Sequence, residues 1–367
     1  MQIVCLVDTL TSTTLYLQGF IHHNTRKWFH AFPPRPLLAF FSRSSSDTVT
    51  NIPYWYRPHR SPTKLPILFI HGIGIGLYPY VAFFRELAAQ DPDVGILAVE
   101  ILPISMHITA PPLARDDMCA ALMRILDAHG LHRVVVAGHS YGTVIAAHLL
   151  RRQQGTTPQG AEQPAQDDNH TNVGDTTITP TNANEPIIAA MLLIDSIPFL
   201  LHHPAVAYNF VYRYPRHANE WQLWYFASRD ADIARALARH FFWFENILFR
   251  EDVMGAGPAA GEKKPHVAVS LSGCDQIVDA HAVWGYLTGG EEEQQQVDSG
   301  SSDPPRRWAR DGLEVLYFPK LDHATVFDAR ADRAALLEVL SRFVRQDWAS
   351  GTNGGATVLE NGVVGGK

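Results

Sequence analysis

Val134-Val135-Val136-Ala137-Gly138-His139-Ser140-Tyr141-Gly142-Thr143-Val144-Ile145-Ala146-Ala147-His148-Leu149-Leu150 reads as a buried strand, a sharp turn and a helix, with a serine at the apex. A Gly-x-Ser-x-Gly pattern alone arises by chance. Here the apolar run before it and the helical run after it supply the context that a strained, serine-bearing turn requires. For strand and helix to close around such a serine, the residues two before and two after must be nearly free of side chain. Gly138 and Gly142 meet that need. The competing reading is an ordinary loop whose serine caps the helix, so the rest of the chain has to supply a base, an acid and an oxyanion hole.

Outward from this turn, apolar runs alternate with helical ones. Residues 52–56, 66–70, 94–99, 133–137, 187–194, 266–271 and 313–318 read as strands, and 81–89 and 113–129 carry helical periodicity. That alternation predicts an α/β fold with a mostly parallel sheet covered on both faces. Residues 1–50, broken by Pro33-Pro34-Arg35-Pro36 and Ser42-Arg43-Ser44-Ser45-Ser46, read as a helical or irregular N-terminal extension to a main domain over 51–348. Residues 152–186 lack large apolar side chains and predict a disordered surface insertion. Polar loops are expected near 255–264 and 289–307, and a flexible Gly-rich tail over 349–367. The aromatic-rich segment 198–255 interrupts the strand order after the sixth core strand and reads as a helical cap, with helices expected over 219–226 and 230–249.

Composition narrows the classes. The 367 residues are 46% hydrophobic and 18% charged, which fits a globular chain. A net charge of -7 without a basic stretch argues against nucleic acid as a partner. Cys5, Cys119 and Cys274 are widely spaced and form no CxxC pair, so neither a disulfide framework nor a zinc site is expected, and a reducing, intracellular setting is favoured without being fixed. His22-His23 and His202-His203 are adjacent rather than spaced along one helix face, and no HExxH occurs, so no metal or cofactor is expected. No apolar run reaches the roughly 18 residues of a membrane-spanning helix. The opening residues lack a basic start and carry Asp8, which makes a poor secretory signal.

A serine hydroxyl is a weak nucleophile at neutral pH, so a histidine must take its proton and a carboxylate must orient that histidine. On a turn of this kind the acid and then the histidine follow the serine in the chain. Asp275, in Ser272-Gly273-Cys274-Asp275, lies just past the strand 266–271, with Asp279 as the alternative acid. His323 lies past the strand 313–318 and is the last histidine of the chain; Asp322 before it reads as a loop or capping residue. Both candidates lie beyond strand C-termini, where open α/β sheets assemble their sites. For the oxyanion hole, one amide is expected from Tyr141 and the other from the loop His71-Gly72-Ile73-Gly74-Ile75-Gly76, with Ile73 favoured and Gly74 the alternative. His71 reads as a loop-orienting residue. Substrate lining falls first on the cap aromatics Trp224, Phe241 and Phe244, which also fit a cap packed on its own core.

His71-Gly72, Gly138 to Gly142, Asp275 and His323, in that order between parallel-type strands, resemble the α/β-hydrolase superfamily over about 290 residues. His-Gly-Ile-Gly-Ile-Gly at 71–76 and Trp-Tyr-Phe-Ala-Ser-Arg at 224–229 are most similar to fungal proteins with an AB hydrolase-1 domain. The resemblance implies the α/β-hydrolase fold and a serine esterase or lipase-like activity on a small apolar ester. Serine at the apex, rather than aspartate, points away from the epoxide-hydrolase and haloalkane-dehalogenase branches. One departure is Thr143, where a third glycine is often found. A thioesterase, transacylase, peptidase or carbon–carbon hydrolase fits the same residues. So does a non-catalytic ligand-binding protein, or a lipid-surface protein that presents Phe241 to Phe244 to a membrane.

Overall fold

The apolar run ahead of Ser140 is the middle strand of a nine-stranded sheet. The computed structural model describes residues 2–24, 31–35, 38, 41–47, 49, 51–155, 186–254, 265–290 and 307–347. The first half of the chain forms α1 (Gln2–Leu17), β1 (Ile21–His23), β2 (Ala31–Phe32), β3 (Tyr54–Arg57), β4 (Ile67–Ile70), α2 (Val81–Gln90), β5 (Ile96–Val99), β6 (Ile108–Thr109), α3 (Arg115–Ala128), β7 (Arg133–His139) and α4 (Tyr141–Gln154). The second half adds β8 (Ile187–Ile194), α5 (Ala231–His240), β9 (His266–Ser272), α6 (Ala280–Thr288), β10 (Arg307–Arg310), β11 (Leu313–Phe318) and α7 (Arg330–Arg345).

The sheet order is β1-β3-β5-β4-β7-β8-β9-β11-β10, and β5, β4, β7, β8, β9 and β11 run parallel to one another. β1, β3 and β10 add antiparallel edges. Because side chains alternate along a strand, each strand feeds two cores. In β4, Ile67 and Phe69 pack with Phe83 and Phe84 of α2 and Leu336 and Leu340 of α7. Leu68 and Ile70 pack with Leu122 of α3, Leu149 of α4 and Val283 of α6. Each such side chain, fully buried, contributes on the order of 1.5–3 kcal/mol.

The N-terminal residues are integral to this body. Leu15 and Phe20 are buried in the core of the α2 and α7 face, and β1 pairs with β3 at the sheet's edge, Ile21 opposite Tyr56. A buried ion-pair network fixes the segment further. Glu100 accepts from both terminal nitrogens of Arg35 at 2.9 and 2.7 Å and lies 3.0 Å from His22 Nε2, while Asp8 of α1 pairs with His107 at 2.9 Å.

Between β8 and β9, short helical pieces follow one another: Ala205–Ala207, a π turn at Tyr208–Tyr212, Ala218–Leu223, a π turn at Trp224–Ser228, α5, Trp243–Asn246 and Arg250–Met254. The helix expected over 230–249 is broken. Asp230 caps its start through Asp232 N and Ile233 N, but Phe241 and Phe242 are extended, with φ/ψ of -119°/103° and -106°/116°. Helical structure expected to end before 152 runs on to Gln154, and Arg307, placed in a polar loop, opens β10. The rest of the insertion at 156–185, the loops 255–264 and 291–306 and the tail from 348 lie outside the described residues. Among the described residues no helix is long and apolar enough to cross a membrane.

Candidate active site

The turn after β7 holds Ser140 at φ 51° and ψ -118°, a strained conformation for a residue with a Cβ. Its flanking glycines are sterically required. A Cβ on Gly142 would lie 2.1 Å from the Ile70 carbonyl oxygen, and one on Gly138 would lie 2.8 Å from the Gly142 oxygen. Thr143, where a third glycine is often found, is put to use: its hydroxyl donates to the Ser140 carbonyl at 2.5 Å and accepts from Ile197 N at 3.2 Å, tying the turn to the chain after β8.

The strand ends bring Ser140, Asp275 and His323 together. His323 Nε2 is 2.9 Å from Ser140 Oγ, and its Nδ1 is 2.7 Å from Asp275 Oδ2. Asp275 Oδ1 accepts from the amides of Ile277 and Val278 at 2.7 and 2.9 Å, which fixes the carboxylate. Asp279 takes no part; it caps α6 through Ala282 N. Asp322 accepts from Gln276 N, His323 N and the cap residue Asn219. It braces the loop rather than the histidine ring.

A second carboxylate, not singled out in the sequence, lies beside this chain of groups. Asp195 follows β8 directly, is buried, and has φ 46°. Its oxygens accept from Ala324 N at 2.8 Å and Ser272 Oγ at 2.7 Å, so it bridges the loop after His323 to the end of β9. Ligating atoms of Asp195, Asp275 and His323 lie within 4.8 Å of one another, a spacing an ion could occupy, although the carboxylate oxygens already accept hydrogen bonds within the site. Burial opposes charge on His323, yet the nearby carboxylates of Asp275, Asp195 and Asp322 carry its pKa up to about 9. The sequence signal was available: an acid immediately past a buried strand, the same signal that picks out Asp275.

Two further histidines are held neutral. His71 is buried, accepts from Ile101 N at Nε2 (2.9 Å) and donates from Nδ1 to the Gly72 carbonyl (2.7 Å); burial lowers its pKa to about 4. His139 is lowered by burial too. Gly72 N donates to the Tyr80 hydroxyl, which in turn donates to His139 Nδ1 at 2.7 Å. Nε2 of His139 then faces Asp195 at 3.7 Å, too long for a hydrogen bond. This chain clamps the loop 71–76 against the serine turn, where a Cβ on Gly72 would lie 2.8 Å from Ser140 Cβ.

Of the amides expected to face an oxyanion, that of Gly74 is taken, donating to the Ile104 carbonyl at 3.1 Å. Tyr141 is the first residue of α4, a position whose amide has no partner within the helix. Ile73, like Tyr141, packs partly buried against the core. The three cap aromatics divide: Phe241 sits over Tyr141 with ring centroids 6.1 Å apart, whereas Trp224 meets Trp221 and Arg229, and Phe244 meets Phe242 and Trp243. Only Phe241 among them has a ring contact with a site residue within the described part of the chain.

The sequence model of the alpha/beta hydrolase family matches residues 67–361, most of the chain. The chain belongs to the alpha/beta hydrolase family. Among curated proteins it is similar to the lipase LipV of Mycobacterium tuberculosis (strain ATCC 25618 / H37Rv), 34% identical over 83 residues. That match covers 23% of this chain and 30% of the lipase, so the chain spans under a third of the length of the curated relative it matches. Among solved structures it is similar in fold to a membrane phospholipase A described as a bacterial virulence factor, with a TM-score of 0.50 at 13% identity, covering 93% of this chain and 91% of the other.

Proposed function

We propose that this member of the family is a serine hydrolase that cleaves carboxylic esters with an apolar acyl or alcohol portion through an acyl-enzyme. The observation that carries the reading is the hydrogen-bonded run from Ser140 Oγ to His323 to Asp275 at 2.9 and 2.7 Å. Ser140 Oγ attacks the ester carbonyl as neutral His323 takes its proton at Nε2, and Asp275 holds the ring's tautomer and stabilises its charged form. The amides of Tyr141 and Ile73 receive the oxyanion, a contribution of roughly 3 kcal/mol per donor. His323 then passes the proton to the leaving alcohol, activates a water by the same nitrogen, and the acid is released with Ser140 restored.

Phe241 beside Tyr141 favours an apolar group next to the serine turn, and the shared segment with a lipase points the same way. A panel of p-nitrophenyl esters of rising chain length tests the reading. Wild type should turn over medium or long chains faster than acetate, and Ser140→Ala should lose at least about a thousandfold in kcat/KM. Equal rates for wild type and Ser140→Ala would sink it.

A further inference from the structure

The cap carries aromatics that neither its own core nor the site buries. Tyr212 is 74%, Tyr214 72% and Trp243 53% exposed, and Tyr208, Tyr225 and Phe242 are exposed beside them. Single exposed apolar residues are ordinary on a soluble protein; these six exposed aromatics within 36 residues of one segment are not.

The charges on the same segment are sorted by sign. Across residues 205–249 the exposed side chains with a formal charge are Arg216, Arg229 and Arg239. Every acid there is withdrawn from the surface. Glu220 accepts from Arg216 N and His217 N, Asp230 caps α5, Asp232 is buried against Thr109 and Arg235, and Glu245 is half-buried. In a chain whose net charge is -7, residues 205–249 expose aromatics and cations, and the exposed acid Glu251 follows only on the next helical piece, Arg250–Met254.

β6 ties this segment to the N-terminal helix. His107 pairs with Asp8 of α1, and two residues on Thr109 bonds Asp232 and accepts from Arg235 of α5, so β6 joins the two helices. Between those bonds Ile108 is exposed, and it pairs in register with the exposed Phe32 of β2. Along α1, Ile3, Leu6 and Leu10 are exposed at helical spacing, and the helix's one charged residue, Asp8, is engaged by His107 and Arg35.

We propose that the cap, β6 and α1 together form a docking face for an anionic lipid surface. Aromatic and aliphatic side chains insert at the headgroup boundary while the arginines engage the negative headgroups. A second copy of the chain fits less well: a two-fold interface would set the three arginines against themselves with one exposed cap acid, Glu251, to offset them. The inference goes beyond ester cleavage and does not need it.

Co-sedimentation of the full-length Ser140→Ala protein with vesicles tests docking apart from turnover. Vesicles of phosphatidylcholine alone are compared with vesicles that also contain phosphatidylserine, at low and high salt. Binding should be strong on the anionic vesicles and weaken with salt. Arg216→Gln/Arg229→Gln/Arg239→Gln should lower it about a hundredfold, with the three Arg→Lys changes restoring it. Phe242→Ser/Trp243→Ser should lower binding to both vesicle types by about tenfold or more. The proposal is overturned if the protein ignores anionic vesicles, if folded variants bind as the parent does, or if light scattering shows a dimer that these substitutions dissolve.

Discussion

Asp195→Asn should move the titration of His323 to lower pH while leaving the protein folded. Asparagine keeps the shape: its carbonyl can accept from Ala324 N and its amide can donate to Ser272 Oγ, replacing the contacts at 2.8 and 2.7 Å. What disappears is one negative charge near the ring, with ligating atoms of the two groups within 4.8 Å. At that separation Coulomb's law gives about 3.5 kcal/mol at an effective dielectric of about 20 and about 0.9 kcal/mol in bulk water, which brackets a fall of about 0.6 to 2.5 pH units. The assay is the second-order rate of Ser140 acylation by a fluorophosphonate as a function of pH. Wild type should rise along a limb with a midpoint near pH 9, set by His323, and the variant's limb should lie lower by an amount within that bracket. A midpoint that stays put or moves upward would refute the reasoning, because a carboxylate this close that is ionised must favour the charged ring.

Stability should follow the same proton. The folded pKa of His323 stands at about 9 against an ordinary value of 6.5, so its contribution is full below about pH 6.5 and is lost as pH rises through about 9. Thermal midpoints should therefore decline across that window in wild type and decline less in Asp275→Asn, and parallel curves would contradict the assignment. Past the end of β5, Arg35→Met strips a bidentate partner from buried Glu100, whose carboxyl Arg35 and His22 hold well below its usual range despite burial. Urea unfolding should show a loss of about 3–5 kcal/mol, partly recovered in Arg35→Met/Glu100→Gln; a loss under about 1 kcal/mol would mean the pair is not buried as described.

The parts of this molecule that were legible in sequence are those where one physical demand dominates. β8 matches its apolar run residue for residue because a strand buried on both faces leaves little room for a polar residue; β11 matches too, with Glu314 as its one charged residue, half-buried and paired with Arg342. The serine turn was legible because Gly138 and Gly142 are the only residue type that fits beside Ile70 and Gly142 backbone. β10 was not read, although Asp311-Gly312 with φ of 49° and 83° is a tight-hairpin dipeptide that signals it. β1 is three residues long and has no period to detect; only pairing with β3 defines it. In the cap, consecutive aromatics mask where helices stop, because the break at Phe241 has neither a glycine nor a proline to mark it. Asp195 was passed over because the chain-order rule asks for a single acid after the serine, and Asp275 had already met it.

The most direct test of the central claim is where a fluorophosphonate attaches to the folded wild-type protein. The account predicts a single adduct on Ser140, absent in Ser140→Ala and formed at least about a thousandfold more slowly in His323→Ala. A folded wild type that resists the reagent, or that carries the adduct on another residue, would contradict it.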